Sequence, residues 1–237
     1  MRGFSIIIPV YNEEKLIVKN TKKLISYLSK FKTPYEIILC DNGSTDFTRE
    51  KGQMLQKKFP KKVKFISIAE KGVGFAFRKS VLTASYDNLI SLDMDLAIDL
   101  SFIPKCLNLL RNHSIVVGSK TAGSQKRALY REVISDIFII LTKLLLGVNF
   151  TDYSIGAKGY RKSDIIDRIQ HVDHGSFYII DIIYHVKQKG KKIIEIPTVC
   201  YDTRKSKFNL FHEVVYRGGK LLVFCFRKRI MSKIIPA

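Results

Sequence analysis

Four short runs in this 237-residue chain gather acidic, small polar and glycine residues of the kind that handle phosphates and a divalent cation. The first is Pro9-Val10-Tyr11-Asn12-Glu13-Glu14, and the second is Asp41-Asn42-Gly43-Ser44-Thr45-Asp46. The third is Glu70-Lys71-Gly72-Val73-Gly74, with Arg78 one helical turn on, and the fourth is Asp93-Met94-Asp95. Asp93 and Asp95 leave an apolar run, with Leu92 before them and Leu96 after. Carboxylates this close repel unless a cation sits beside them. Hard oxygen ligands of this kind suit Mg²⁺ or Mn²⁺, which keeps several waters and binds substrate phosphates.

Two other readings of these residues are weaker. Gly72-Val73-Gly74 resembles a truncated dinucleotide fingerprint, but Phe77 stands where the third glycine belongs. The glycines are instead expected to let the backbone approach a nucleotide or sugar at a helix N-terminus. His171, Asp173 and His174 lack further ligands at metal-binding spacing and read as a polar turn.

The elements that must position these runs alternate along the first 118 residues. Apolar, β-rich runs occur at Phe4–Pro9, Glu36–Cys40, Lys64–Ile68, Asn88–Leu92 and Ser114–Val117. Segments of helical period lie between them, at Glu13–Phe31, Thr45–Phe59, Gly74–Ser85 and Ser101–Asn112. Buried-type strands alternating with helices predict an α/β fold with a doubly wound, mostly parallel sheet. Ligands of such sheets bind at the carboxyl ends of the strands, where all four runs fall. Downstream, helical period returns at 128–147, near 162–169 and at 177–189. A short piece near Gly156–Tyr160, a strand at Lys192–Ile196 and a final amphipathic segment at 210–229 complete the chain. Gly218–Gly219 reads as a break in that last segment.

Lys and Arg number 41 against 21 Asp and Glu, a net charge of +20. That excess implies an anionic partner: nucleic acid, a phosphorylated ligand or a membrane surface. No nucleic-acid-reading motif accompanies it. Cys40, Cys106, Cys200 and Cys225 have no zinc or redox spacing and read as reduced, which suits a cytosolic compartment. No signal peptide is read at the N-terminus, and no run reaches the ~18 apolar residues of a spanning helix. The apolar regions 133–150 and 210–226 are each interrupted by charge.

In order and spacing, Phe4–Glu14, Asp41–Asp46, Lys71–Gly74 with Arg78, and Asp93–Asp95 resemble the inverting family 2 glycosyltransferases. The second half is similar to the dolichyl-phosphate mannose and glucose synthases within that family. The pieces carrying this are Gly118-Ser119-Lys120, Arg127 and Arg131 before a long apolar helix, Asp152, Gly156–Arg161, Asp181, Glu195–Pro197 and Arg204–Lys207. The family's second turn usually carries two acids where this chain has Asp41-Asn42.

The resemblance implies a nucleotide-diphospho-sugar transferase fold of GT-A type, with C-terminal amphipathic helices. It implies one domain over 1–237: a nucleotide-sugar half at 1–118, an acceptor half at 119–209 and a basic amphipathic segment at 210–237. The donor would be GDP-mannose or UDP-glucose, held by Pro9, Tyr11, Glu13, Asp41, Asn42, Lys71, Gly72, Arg78 and Met94. Asp93 and Asp95 would bind the Mg²⁺ or Mn²⁺ that neutralises the leaving diphosphate. The acceptor would be dolichyl or polyprenyl phosphate, met by Arg127, Arg131, Arg204 and Lys207, and nucleic acid is not expected as a partner. Asp181 falls where relatives with hydroxyl acceptors carry an acid, and could be a base or a sugar ligand. A family 2 enzyme with a hydroxyl acceptor, and a basic nucleic-acid-binding module, are the alternatives. The basic helices imply peripheral attachment to the cytoplasmic face of an anionic membrane.

Overall fold

The structure is a computed structural model, described for residues 3–119, 129–148, 150–151, 153, 155–201 and 215–226, with side chains of 129–136 excepted. Seven strands form one sheet. They are β1 (Phe4–Val10), β2 (Tyr35–Asn42), β3 (Val63–Ile68), β4 (Asn88–Ser91), β5 (Ile115–Ser119), β6 (Lys158–Arg161) and β7 (Ile193–Pro197). Their order is β3-β2-β1-β4-β6-β5-β7. Only β6 runs antiparallel to its neighbours, β4 and β5; the other pairings are parallel. The mostly parallel expectation therefore holds, and the strand order reverses between β1 and β4. That reversal is the switch point at which an open α/β sheet leaves a crevice.

Pro9 helps to open it. In β1 the carbonyl of Ile7 accepts the amide of Leu92, so the odd-numbered backbone groups face β4. Pairing of β1 with β4 ends at Ile7 opposite Ser91. Pro9, which has no N–H to offer, lies just beyond that last partner.

Helices cover both faces. On one side α1 (Ile17–Leu28), α2 (Thr48–Lys58) and α4 (Phe102–Leu109) bury Leu24, Leu28, Leu55, Phe102 and Ile103 against the sheet. On the other, α3 (Val73–Thr83), α5 (Leu129–Leu146), α6 (Lys162–Ile169) and α7 (Tyr178–Gln188) bury Phe77, Val81, Leu146, Ile165 and Ile183. Phe77 is the hub of that second layer, stacked on Tyr178 at 4.6 Å and edge-on to Tyr160 at 5.2 Å. Such pairs contribute about 0.5–1.5 kcal/mol each beyond burial.

Residues 215–226 are helical without interruption, so Gly218–Gly219 does not break the segment. The helix docks on the second layer through Tyr216, Leu221 and Phe224. Phe224 packs edge-on against Phe177 at 5.7 Å and Tyr184 at 5.2 Å. Packing supplies what two glycines forfeit in helix propensity, about 1 kcal/mol apiece. No helix among the described residues is long and apolar enough to cross a membrane.

Candidate active site

The turns after β1 and β2 are laced together at the mouth of the crevice. Asn12 has a φ of +53°. Its side-chain oxygen accepts the Thr45 amide at 2.8 Å, and its own amide donates to Ser44 Oγ at 2.9 Å. The Glu13 amide donates to Thr48 Oγ1 at 2.7 Å. A tight left-handed turn at a non-glycine residue costs on the order of 1 kcal/mol, and these bonds hold it in place.

Asp41 and Asn42 organise the crevice from below. Asp41 is fully buried. One of its oxygens accepts the Ser44 amide at 3.0 Å, and the other accepts Ser67 Oγ at 2.8 Å and Arg49 Nε at 3.2 Å. Asn42 Oδ1 accepts the Gly72 amide at 2.5 Å, tying the second turn to the third. Above them the Lys71 ammonium lies 4.0 Å from the centre of the Tyr11 ring. A cation over an exposed aromatic face is worth about 0.5–1 kcal/mol, and this one sets a flat ring and a positive charge side by side at the carboxyl edge.

Asp93 and Asp95 leave the end of β4 at the same edge. The chain turns sharply there: the Leu96 amide donates to the Asp93 carbonyl at 3.1 Å, and Leu96 has a φ of +50°. The Ala97 amide donates to Asp95 Oδ1 at 3.1 Å. Asp93 is exposed and Asp95 half-buried, whereas Met94 between them is buried. Met94 belongs to the core on the α1 and α4 side, and its carbonyl accepts Asn20 Nδ2 at 2.9 Å. The expectation that Met94 lines the donor therefore fails for its side chain, because alternation through the turn sends it inward.

Behind Asp93 stands Gly156. A Cβ there would lie 2.3–2.4 Å from the three carboxylate atoms of Asp93. The strand edge carrying Gly156 is fixed from the sheet: Ser91 Oγ donates to its carbonyl at 2.6 Å, and buried Lys158 donates to the carbonyl of Ile155. Among the described residues no three His, Cys, Asp or Glu side chains converge as a metal cage. Two hard carboxylates on an open edge fit Mg²⁺ or Mn²⁺, which takes its remaining ligands from water and a diphosphate. They do not fit a structural zinc site, which is closed by four protein ligands.

The glycines of the third turn serve a different purpose from the one expected. The Gly74 amide donates to the His174 carbonyl at 3.0 Å. A Cβ at Gly74 would meet the Asp173 carbonyl oxygen at 1.9 Å, and one at Gly72 would meet His174 at 2.9 Å. The N-terminus of α3 is thus covered by the chain's own 173–175 turn rather than left open for a ligand. That turn is itself braced by helix 215–226. Asp173 accepts the Tyr216 hydroxyl at 3.1 Å and pairs with Lys220 at 2.7 Å. The polar-turn reading of His171, Asp173 and His174 agrees with this geometry.

The remaining expected site residues are dispersed. Arg78 donates to Gln170 Oε1 at 3.0 Å. Asp181, in the first turn of α7, is clamped by Arg168, with contacts of 2.8–3.1 Å to both carboxylate oxygens. The Arg131 side chain and all of Arg127, Arg204, Lys207 and Asp152 lie outside the described residues. Sequence reasoning missed the role of Gly156, the cover that the 173–175 turn places on α3, and Arg217, whose Nε donates to Ser176 Oγ at 2.9 Å. Glycine in a polar run was the visible signal for the first; the other two depend on tertiary contacts between segments far apart in the chain.

Comparison with known proteins follows the same lines. The model of the family described as Glycosyl transferase family 2 matches residues 5–169. A dolichol-phosphate mannosyltransferase of Pyrococcus furiosus is 29% identical over 81% of this chain and 55% of its own length. An undecaprenyl-phosphate mannosyltransferase of Micrococcus luteus is 24% identical over 81% of this chain and 80% of its own. The chain thus spans about half of the first relative and four-fifths of the second. Among solved structures, glucosyl-3-phosphoglycerate synthase from Mycobacterium tuberculosis, in complex with Mn²⁺ and uridine-diphosphate-glucose, superposes with a TM-score of 0.68 at 16% identity. The superposition covers 94% of this chain and 79% of that one. At that identity the likeness speaks for the GT-A fold.

Proposed function

Since the chain belongs to glycosyl transferase family 2, we propose that it moves a hexose, mannose or glucose, from a nucleoside diphosphate sugar to a polyprenyl phosphate with inversion. The observation that carries this reading is the pair Asp93 and Asp95 on the open edge of β4, with Gly156 leaving room for the first carboxylate. The two relatives named for polyprenyl-phosphate mannosyl transfer support the acceptor class. In this reading Tyr11 and Lys71, side by side on a frame held by Asp41 and Asn42, would meet the nucleotide.

In the reaction an acceptor phosphate oxygen attacks the anomeric carbon as the bond to the diphosphate breaks. A phosphate monoester is already ionised near neutral pH, so no proton has to be removed from it. This matches the state of Asp181, whose two oxygens are both engaged by Arg168 rather than poised as a base. A divalent ion, when bound by Asp93 and Asp95, supplies charge neutralisation for the departing diphosphate. The cations expected to receive the acceptor phosphate remain Arg127, Arg131, Arg204 and Lys207, suited to it by the fork of Arg and the charge of Lys.

The setting we infer is the surface of an anionic membrane. Helix α5 exposes Ile137, Ile140, Leu141, Leu144 and Leu145, and helix 215–226 exposes Val215, Leu222, Val223 and Phe226. Both pack their opposite sides into one core layer. Exposed apolar stripes on a chain of charge +20 suit a helix lying in the headgroup region.

The experiment is a donor screen with purified protein, Mn²⁺, a short polyprenyl phosphate and GDP- or UDP-hexoses, with product read by mass spectrometry. A glycosyl phospholipid formed with Mn²⁺ and lost in chelator supports the reading. Transfer to a hydroxyl acceptor alone, or none with any donor, overturns it.

A further inference from the structure

The backbone that carries Lys71 is enclosed from two sides. On one side Asn42 Oδ1 accepts the Gly72 amide at 2.5 Å, and a Cβ at Gly43 would meet the Lys71 nitrogen at 3.5 Å. On the other side lies the 173–175 turn. A Cβ at Gly74 would stand 1.9 Å from the Asp173 carbonyl oxygen and 2.8 Å from that of Gly175, and one at Gly72 would stand 2.9 Å from the His174 carbonyl oxygen. The Gly74 amide donates to that His174 carbonyl at 3.0 Å. All three residues of the turn therefore face the two glycines with their backbone.

The turn belongs to no helix or strand. Tyr216, on helix 215–226, touches each of its residues from the far side. Its hydroxyl donates to the Asp173 carboxylate at 3.1 Å, its ring centre lies 5.7 Å from that of His174, and a Cβ on Gly175 would come within 2.0 Å of its hydroxyl. Lys220, one helical turn on, pairs with Asp173 at 2.7 Å. Gly72 and Gly74 would otherwise leave this stretch of backbone among the freest in the chain. Freedom that must be surrendered when a ligand binds subtracts from its affinity. A turn pressed onto the glycines orders them before any ligand arrives.

We propose that Tyr216 is a positioning residue for the nucleotide: through the 173–175 turn it fixes the backbone that presents Lys71. The inference rests on the function proposed above, in which Lys71 meets the nucleotide, and adds to it a residue that touches no substrate.

The test uses Y216F in the full chain, which removes the hydroxyl and leaves the ring on Gly175. Isothermal titration gives the affinities of GDP and UDP with Mn²⁺ for the wild type, Y216F, K71A and the double variant. Hydrogen exchange of amides 72–77, referred to those of β1, reads the turn directly. Y216F should exchange faster at 72–77 with β1 unchanged. It should also lose about tenfold in affinity for the nucleotide that the wild type binds, the ordering cost of roughly one backbone residue. In the K71A background most of that loss should vanish, because a positioning residue adds nothing once the group it positions is gone. Wild-type affinity in Y216F overturns the proposal. So do losses that simply add in the double variant, or faster exchange spread through β1, which would make the hydroxyl a support of the whole fold. A wild type that takes up neither GDP nor UDP sinks the proposed reaction and this role together, an outcome distinct from Y216F alone keeping its affinity.

Discussion

The carboxylate of Asp93 rests against the α-carbon of Gly156, in the space where any other residue would carry a side chain. The contact joins the end of β4 to the segment entering β6, its antiparallel neighbour. The carbonyl of Gly156 is held by Ser91 at 2.6 Å, so the backbone there is not free to retreat. A methyl group at 156 must therefore move the carboxylate. Gly156→Ala should weaken Mn²⁺ binding at least tenfold, about 1.4 kcal/mol, with turnover falling in step. The fold should survive, because what yields is the end of an exposed side chain. Titration of Mn²⁺ by electron paramagnetic resonance, with Tm measured in parallel, checks this. Wild-type affinity in the variant would show that the contact has no bearing on the metal.

Asp181 separates two acceptor chemistries. Its carboxylate is nearly buried, and Arg168 contacts both oxygens. Asp181→Asn leaves a partly exposed guanidinium with half its partner, at a cost of about 1–3 kcal/mol in stability. If the acceptor is a phosphate, turnover at a temperature well below Tm should change by only a few-fold. Loss of a general base would instead remove roughly 10²–10⁴ of the rate. Measuring kcat and the urea midpoint on the same preparation distinguishes the outcomes.

How much of this was legible in the sequence follows from what each signal depends on. The first five strands and four helices are local patterns, and Phe4–Val10 could be read because a parallel strand buried on both faces is a nearly unbroken apolar run. The position of Asp93 and Asp95 followed from that, since a strand end is also a local feature. The glycines at 72 and 74 were read locally too, and the packing they permit was not visible that way. Their need for space comes from Asp173 and His174, about a hundred residues away, and a loop–helix joint looks the same whether a ligand or the chain itself fills the gap. Gly218–Gly219 failed for a related reason, because helix propensity is a weak term that packing of Phe224 and Leu221 overrides. Asp41 was readable as a site residue but not as a buried support, which depends on Ser67 and Arg49.

The docking of helix 215–226 should respond to acid. Burial alone would raise the Asp173 carboxyl, but Lys220, Tyr216 and the Gly175 amide outweigh it and hold it below its ordinary value. A carboxylate depressed in this way adds stability above its unfolded value, about 3.9, and loses it as pH falls through the lower folded value. Docking should therefore be constant from pH 7 to about 5 and weaken progressively as pH falls below about 4. Asp173→Asn should loosen it at neutral pH by about 1–2 kcal/mol, allowing for solvent screening at the half-exposed Lys220. Hydrogen exchange of amides 215–226, referred to those of β1, reads both effects. Equal protection in the variant and the wild type at pH 7 would mean that Phe224 and Leu221 hold the helix alone.

Membrane attachment should require both charge and the two apolar stripes. Leu144 is 75% exposed and Phe226 is 68% exposed, so neither contributes much to the folded core. Their burial in a headgroup layer is worth on the order of 1–2 kcal/mol each, comparable to one or two basic residues near an anionic surface. The double variant L144E/F226E should thus bind vesicles containing anionic lipid at least tenfold more weakly, with Tm unchanged. Raising the salt concentration should weaken the wild type as well, because the electrostatic part is screened within a Debye length of about 8–10 Å. Sedimentation with vesicles at low and high salt measures both. Full binding by the double variant would place the contact elsewhere on the surface, and binding indifferent to salt would remove the basic excess from the account.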